Sequence, residues 1–197
     1  MEDIILVGYG GHAKSVADSI EQAGKYRIIG YTDMECHESR YEYLGPDDVL
    51  KKYYDEGCKN AFVCVGYLGK GHLRDKLYEL LKDIGYELPI IIDSSSIVAD
   101  DVTIGEGTFV GKRAVINANS NIGKMCIINT AAVIEHDNTI GDFAHISVGT
   151  VLCGQVVVDD FAFVGANATV IQGRHIGEGQ IIPAGAVIRR KHFERGK

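Results

Sequence analysis

One histidine of the sequence stands between two acidic residues, in the segment Glu135-His136-Asp137. A histidine exchanges a proton near neutral pH, and its reference pKa is about 6.5. A neighbouring carboxylate such as that of Asp137 can hold the imidazole in one tautomer and stabilise its protonated form. These residue types suit general-base catalysis. On spacing alone, an exposed structural histidine is an equally good interpretation.

A second set of candidates forms the glycine-rich segment Gly8-Tyr9-Gly10-Gly11-His12-Ala13-Lys14, which follows the apolar strand Ile4–Val7 and opens a helical pattern. Glycines let the backbone approach a phosphate, and a helix N-terminus offers free N–H groups. Asp33 ends the next apolar strand, where a carboxylate can accept hydrogen bonds from a ribose or a base. The loop favours a nucleotide, and His12 and Lys14 suit a diphosphate. A tight turn without a ligand is the alternative, and a nicotinamide dehydrogenase would need a second mononucleotide half.

The element that must position His136 is a six-residue repeat. Every sixth residue from Ile92 to Ile188 is Ile, Val or Leu, which fits neither an α-helix nor a hairpin array. The period predicts a parallel β-helix in which three hexapeptides make one coil and the aliphatic side chains point inward. Glycine often follows the aliphatic residue, as at Gly105 and Gly123, where we expect it to relieve backbone strain at the turn.

The coil length of eighteen residues relates distant positions. Gly154 lies one coil after His136 and therefore stacks above it. A backbone N–H at Gly154 is suited to an oxyanion that forms near the histidine. His145 lies half a coil on, on a different wall, so it can approach His136 only if another subunit supplies it.

Strands and helices alternate before the repeat. Apolar runs predict strands at Ile4–Val7, Arg27–Thr32, Ala61–Val65 and Leu88–Ile92. Helices are expected after the glycine loop, from Pro46 and around residues 73–81, with a loop over Met34–Gly45. This order predicts a small parallel α/β sheet. We expect a Rossmann-like domain at residues 1–90 and a β-helix at residues 91–197. Resemblance to known folds with regular six-residue repeats implies a left-handed β-helix.

Composition narrows the class of protein. The formal net charge is −7 and the pI is about 5.5, which argues against nucleic acid as the main partner. Five dispersed cysteines favour reduced thiols. The acidic start resembles no signal peptide, and no apolar run reaches membrane-spanning length. We expect a cytoplasmic protein without membrane insertion, with a short basic run at Arg189, Arg190 and Lys191.

Taken together, the glycine loop and the histidine coil resemble the NeuD/PglD-type sugar acyltransferases of the hexapeptide superfamily. The segment that runs from Ile127-Ile128-Asn129-Thr130 through Ile134-Glu135-His136-Asp137 to His145-Ile146-Ser147-Val148-Gly149 is the specific motif, and Gly8–Lys14 supports it. The resemblance covers essentially the whole chain. It implies a homotrimer that transfers acetyl from acetyl-CoA, with each active site between two subunits.

The resemblance also implies roles for single residues. His136 matches the general base, with Asp137 where many members carry glutamate, and Asn129 matches an active-site asparagine. His145 matches a histidine that bonds the thioester region of acetyl-CoA, and Gly154 matches the oxyanion-hole amide. The remaining matched positions are Ala166 and Ala184 for the coenzyme, and Gly8, Gly10, Gly11, His12, Lys14, Thr32, Asp33 and Gly66 for the nucleotide sugar.

Two of these positions depart from the family pattern. Thr32 replaces an acid, and the loop Gly66-Tyr67-Leu68 is less polar than usual, which bears on sugar specificity. The predicted function is N-acetylation of a UDP-linked 4-amino-dideoxy sugar, and O-acetylation of sialic acid or a related hydroxyl is the alternative. A zinc site from His136, His145 and His175 is disfavoured because their spacing gives no common register, so no metal is expected. A non-catalytic trimeric scaffold is also open.

Overall fold

The computed structural model describes residues 1–69 and 72–189. A parallel α/β sheet comes first, and a parallel β-helix of about five turns follows. The predicted fold class, a small α/β domain before a left-handed β-helix, is confirmed. The domain boundary at residue 90 stays a prediction.

The α/β sheet has four parallel strands in the order β3-β2-β1-β4. The strands are β1 (Glu2–Val7), β2 (Tyr26–Thr32), β3 (Tyr43–Gly45) and β4 (Asn60–Val63). The helices are α1 (Gly11–Ala23), α2 (Leu50–Asp55), which a 3₁₀ turn (Asp47–Val49) precedes, and α3 (Leu73–Ile84). The order places the carboxyl ends of β1, β2 and β4 side by side, below the glycine loop.

Two details of the predicted sheet are wrong. The expected strand Leu88–Ile92 does not join the α/β sheet as a strand: Glu87 makes one isolated bridge to Asn60, and Ile91–Ile92 starts the β-helix. The expected loop at Met34–Gly45 ends in the edge strand β3. A run of three residues gives little periodic signal, so only its pairing with Tyr31 and Thr32 reveals this strand.

The β-helix is a three-sided prism, and its sides are named here for what covers them. The docked face, against the α/β domain, contains Ile91–Ile92, Phe109–Val110, Ile127–Ile128, His145–Ile146, Phe163–Val164 and Ile181–Ile182. The valine face contains Ile97–Val98, Val115–Ile116, Val133–Ile134, Val151–Leu152, Thr169–Val170 and Val187–Ile188. The polar face contains Thr103–Ile104, Asn121–Ile122, Thr139–Ile140, Val157–Val158 and His175–Ile176.

The repeat aliphatic side chains form the core of the prism, as predicted, from Val110 to Ile182. At the ends they are less covered, and Ile92 is 39% exposed. Ile92 still lies in the inward column, because it pairs in register with the buried Val110. The first coil has no coil beneath it, so half of the packing that buries the middle repeats is missing there.

The explanation expected for the glycine after each aliphatic residue is also wrong. Left-handed backbone occurs two residues later, for example at Asp137 with φ 60° and at Gly149 with φ 65°. Gly105 and Gly123 have no such φ. A Cβ on Gly105 would lie 2.4 Å from the amide nitrogen of Lys124 in the next coil. These glycines are needed because successive corners stack too closely for a side chain.

The α/β domain packs on the docked face and on the adjoining corner. Outward side chains such as Phe109 and Ile127 join the cluster of Tyr9 and Val16, and Met125 and Phe143 join that of Leu77 and others of α3. One side of the β-helix is thereby covered within the same chain. Residues 1–69 and 72–189 leave the valine and polar faces uncovered.

Candidate active site

His136 lies at the corner between the valine and polar faces, as the first central residue of its turn. Its Nδ1 lies 2.7 Å from Oδ2 of Asp137. The left-handed backbone of Asp137 turns the two neighbouring side chains toward each other. Asn119, one coil below, donates to the other carboxylate oxygen at 2.6 Å. Hydrogen bonds from Asn119 and His136 lower the pKa of Asp137, so Asp137 stays a carboxylate. The carboxylate accepts the hydrogen on Nδ1 of His136, which leaves Nε2 as the basic nitrogen.

Gly154 stacks on the imidazole, as the eighteen-residue spacing predicts. A Cβ on Gly154 would lie 2.6 Å from Cε1 and 2.7 Å from Nε2 of His136. The next residue, Gln155, donates its N–H to the His136 carbonyl at 3.0 Å. Within the described residues the Gly154 amide donates no hydrogen bond. It is therefore free to bind an oxyanion, a role that stays a prediction.

His145 and Asn129 meet at the other end of the valine face, on the docked side. Asn129 Nδ2 lies 3.2 Å from His145 Nε2, and His145 Nδ1 bonds the carbonyl oxygen of Tyr67. His145 is 5% exposed. Burial lowers the pKa of His145 to about 4, helped by the nearby Arg74 cation, although the bond to Tyr67 opposes the shift. The imidazole is neutral.

The structure thus divides the predicted catalytic residues into two groups. The pair His136–Asp137 with Gly154 lies at the valine–polar corner. Asn129 and His145 lie at the docked–valine corner of the same chain, with the valine face between the two groups. The spacing argument that His136 and His145 lie on different walls agrees with this placement.

Ala166 and Ala184 lie above Asn129 at the docked–valine corner. They stack as predicted, since the N–H of Gly185 donates to the Ala166 carbonyl at 2.8 Å. Both are first central residues of their turns, the position where Gly154 has its free amide. The contact of Ala166 and Ala184 with the coenzyme stays a prediction.

The glycine loop has open space in front of it. Gly8 is required by its backbone, with φ 87° and a Cβ position 2.7 Å from a Val65 methyl. By contrast, a Cβ on Gly10 or Gly11 would meet nothing within 4 Å. A cavity of about 310 Å³ opens there, and a larger one of about 660 Å³ continues along α1; Lys14 lines both. The space and the free amides of the start of α1 suit a phosphate group.

The end of β2 holds this loop in place. Oδ2 of Asp33 accepts the Tyr9 N–H at 2.7 Å, and Oδ1 accepts that of Met34 at the same distance. Thr32 is fully buried, and its hydroxyl donates to Asp47 at 2.6 Å. Its side chain therefore faces the interior of the protein. The binding of the nucleotide sugar by Thr32 and Asp33 stays a prediction.

His12 points away from the loop, toward the β-helix. Its ring packs edge-on against Phe109, with ring centroids 5.3 Å apart, and its Nε2 is buried without a partner among the described residues. Burial, with Arg74 and His145 nearby, lowers the pKa of His12 to about 3. Arg74 is itself 4% exposed and donates to the Val63 and Met125 carbonyls.

Gly66 is exposed in the loop that follows β4, and its neighbour Tyr67 is buried. Arg190 and Lys191 of the basic run lie outside the described residues. Across residues 1–69 and 72–189, no three acidic, histidine or cysteine side chains are placed to hold a metal ion. No helix in these ranges is long and apolar enough to span a membrane.

Sequence reasoning missed three residues of the site. Asn119 could have been found, because it lies one coil before Asp137. No periodicity relates Tyr67 or Arg74 to the coil, since their contacts come from the docking of the α/β domain.

A histidine–carboxylate pair below a free turn amide, on a prism of hexapeptides, is typical of the hexapeptide-repeat acyltransferases. Residues 3–81 match the model of the PglD N-terminal domain. A histidine-to-alanine mutant of GDP-perosamine N-acetyltransferase from Caulobacter crescentus, in complex with CoA and GDP-perosamine, is 34% identical. Its TM-score is 0.91, and the match covers 96% of this chain and 90% of that one.

The acetyltransferase domain of PglB from Neisseria gonorrhoeae is 30% identical with a TM-score of 0.88, covering 96% of this chain and 92% of that chain. Its complex with acetyl coenzyme A is 28% identical with a TM-score of 0.85, covering 95% and 92%. The comparison with curated proteins gave no match. The chain belongs to the PglD-type family of hexapeptide-repeat sugar acetyltransferases, as the motifs predicted, and is an acyltransferase with acetyl-CoA as its cosubstrate.

Proposed function

We propose that this enzyme acetylates the amine of a nucleotide-linked amino sugar, with His136 as the general base. The observation that carries the proposal is the His136–Asp137 pair below the Gly154 amide, in a chain whose glycine loop opens on a cavity of about 310 Å³. The C. crescentus relative with bound GDP-perosamine supports an amino sugar as acceptor. The family motifs predict a UDP-linked 4-amino-dideoxy sugar, so the nucleotide is a question for the assay.

Each group has a role in the proposed transfer. Asp137 holds the Nδ1 hydrogen of His136, so Nε2 removes the proton from the sugar nitrogen as it attacks the thioester carbonyl. A C–N bond forms, and the tetrahedral oxyanion accepts the Gly154 N–H. The C–S bond then breaks, and the imidazolium returns the proton to the leaving sulfur. The products are CoA and the acetamido sugar.

A homotrimer would complete the site, and the valine face supports this arrangement. Five of its six outward residues are aliphatic, and Ile97 and Val187 are 66% and 47% exposed in the single chain. The docked face is covered within the chain, and the polar face presents mostly polar side chains. If three copies turn their valine faces to a threefold axis, opposite ends of neighbouring faces meet. The His136 corner of one subunit then adjoins the Asn129 and His145 corner of the next.

The direct test is release of the CoA thiol from acetyl-CoA with a panel of acceptors. The panel contains UDP- and GDP-linked 4-amino-4,6-dideoxy sugars, the matching 4-hydroxy sugars and free sialic acid. We expect turnover with an amino sugar and a fall of about 100-fold or more in kcat for His136→Ala. His175→Ala, at an exposed histidine paired with Asp159 on the polar face, is the matched control.

Each alternative has its own result. Turnover only with sialic acid or with a hydroxy sugar would replace N-acetylation by the O-acetylation that the sequence left open. Equal rates for the parent and His136→Ala would remove His136 from the role of base while keeping the family. Absence of CoA binding would favour the scaffold.

A further inference from the structure

Both ring nitrogens of His145 have partners, and these partners decide which nitrogen carries the hydrogen. Nδ1 faces the carbonyl oxygen of Tyr67. A carbonyl can only accept, so Nδ1 is the protonated nitrogen. In the neutral ring Nε2 is then an acceptor, and it lies 3.2 Å from Asn129 Nδ2.

The orientation of the Asn129 amide agrees with this assignment. Its Oδ1 accepts the N–H of Thr130 at 2.8 Å, which leaves Nδ2 on the side of His145. One N–H of Nδ2 donates to His145. The other donates to no acceptor within the described residues, at a corner where Asn129 is only partly buried. A hydrogen-bond donor of fixed direction is thus presented at the proposed subunit junction.

The surroundings of His145 disfavour a second proton on its ring. Arg74 is a buried cation that faces the same space and donates to the Val63 and Met125 carbonyls, and the other titratable ring nearby is His12, which is neutral. No carboxylate of the described residues bonds His145. The ring therefore acts through Nε2 as an acceptor and not as an imidazolium donor.

The Tyr67 carbonyl is itself held on the β-helix. The Tyr67 hydroxyl donates to the Phe161 carbonyl at 2.7 Å, and the side chain is 8% exposed. This loop follows β4, at the carboxyl edge of the sheet where ligands of parallel α/β domains bind. The loop that contains Tyr67 therefore lies next to the expected nucleotide-sugar site and also contacts His145.

We propose that His145 is a positioning residue: the Tyr67 carbonyl fixes its Nδ1–H tautomer, its Nε2 orients Asn129, and Asn129 presents its second N–H to an oxygen of the bound substrates. This differs from the role that the family resemblance gives His145. A thioester carbonyl needs a donor, and Nε2 of this tautomer is an acceptor. The identity of the substrates rests on the proposed function, whereas the tautomer does not.

The test is nitrogen NMR of protein that carries ¹⁵N-labelled histidine, with His145→Gln to assign the signals of His145. We expect a protonated Nδ1 and an unprotonated Nε2 from about pH 7.5 down to about pH 5. An Nε2–H tautomer, or an imidazolium at neutral pH, in the parent would overturn the proposal. The measurement needs no turnover, so its outcome is independent of whether the protein acetylates sugars.

The link through Asn129 has a separate test in Asn129→Asp. A carboxylate of nearly the same shape cannot donate to Nε2, so His145 should become protonated at Nε2, and kcat should fall about 100-fold. His175→Gln, on the polar face, is the control and should leave the His145 signals and kcat unchanged. Unaltered His145 signals in Asn129→Asp would show that Asn129 does not donate to this ring. The proposal that His145 orients Asn129 would then be wrong.

Discussion

At the scale of single residues, the state of each histidine follows from its partners. His136 is exposed and donates from Nδ1 to a carboxylate, so Nε2 is the unprotonated nitrogen of its neutral ring. His145 and His12 are shielded near Arg74, and both stay neutral. One side of the His136 ring has no room for a further atom, because a Cβ on Gly154 would lie 2.6 Å from its Cε1.

Gly154→Ala should therefore disable the base without unfolding the protein. The added methyl would lie within 3 Å of Cε1 and Nε2 of His136, and the ring must rotate away from Asp137. We expect kcat to fall at least about 10-fold, with a thermal midpoint within a few degrees of the parent. Gly177→Ala is the matched control, because the nearest atom to its Cβ position is 3.8 Å away. Parent-like kcat in Gly154→Ala would show that the imidazole is not held where the structure places it.

At the scale of elements, a buried carboxylate joins helix α1 to the first coil. Asp93 is 1% exposed and accepts from Ser19 at 2.6 Å, from Lys112 at 2.8 Å and from Ser95. Burial acts to raise the pKa of Asp93, but the bonds from Lys112, Ser19 and Ser95 outweigh it and lower that pKa. The joint is therefore strongest while Asp93 is ionised.

Asp93→Asn should lower the free energy of unfolding by about 1–3 kcal/mol at neutral pH, since Lys112 and Ser19 lose a charged acceptor. The pKa of Asp93 is lower in the folded protein than in the unfolded chain, which titrates at about pH 4. Ionised Asp93 therefore stabilises the fold above about pH 4, and this stabilisation is lost as the pH falls further. The difference between parent and variant in urea unfolding should shrink from about pH 7 to about pH 2.5. Asp18→Asn is the control, because that carboxylate shares Lys112 but is half exposed, and its loss should cost less than about 0.5 kcal/mol. A constant difference at all pH values would argue against ionised Asp93 as the stabilising group.

The valine face is a second element with a measurable consequence. Val151→Asp should turn the proposed trimer into a monomer, because a carboxylate in the aliphatic column would be buried against its symmetry mates. Light scattering would measure the mass of the particle. Val157→Asp changes the same residue type at the equivalent outward position of the polar face and should leave the trimer intact. A trimer in both variants would exclude the valine face as the interface.

At the scale of the whole molecule, the two halves of the site lie at opposite ends of one face. A single chain therefore does not bring His136 to Asn129, whereas the proposed threefold arrangement would. Domain docking adds a further dependence, because His145 and Asn129 are arranged by the Tyr67 carbonyl of the α/β domain. The acyl site is expected to need both domains and a neighbouring subunit.

Mixed trimers can test this division. Coexpressed His136→Ala and Asn129→Ala chains, each inactive alone, should recover about one third of the parent activity in trimers that contain both chains, because one of the three sites then receives both intact groups. The measurement is CoA release by trimers that carry both affinity tags. A mixture of two His136→Ala chains with different tags is the control. No recovery would mean that both groups act within one subunit.

Much of the architecture could be predicted from the chain because the β-helix is periodic. A period of six assigns each residue to a face and a coil by arithmetic, so the stacking of Gly154 on His136 was predicted correctly and Asn119 could have been. The corner glycines were explained wrongly because spacing locates a turn without giving the distance between stacked corners. The sequence patterns also failed to predict strand β3 and the pairing of Leu88–Ile92, because the partners of these segments lie outside any local pattern.

The sequence by itself determined the fold class, the family and the positions of His136, Asp137 and Gly154. These depend on local motifs and on a repeat whose register never changes. Only the tertiary structure decided that Tyr67 holds His145, that Arg74 lies beside it and that Thr32 turns inward to Asp47. No periodicity connects residues 67 and 145, so packing of the α/β domain on the docked face alone brings them into contact.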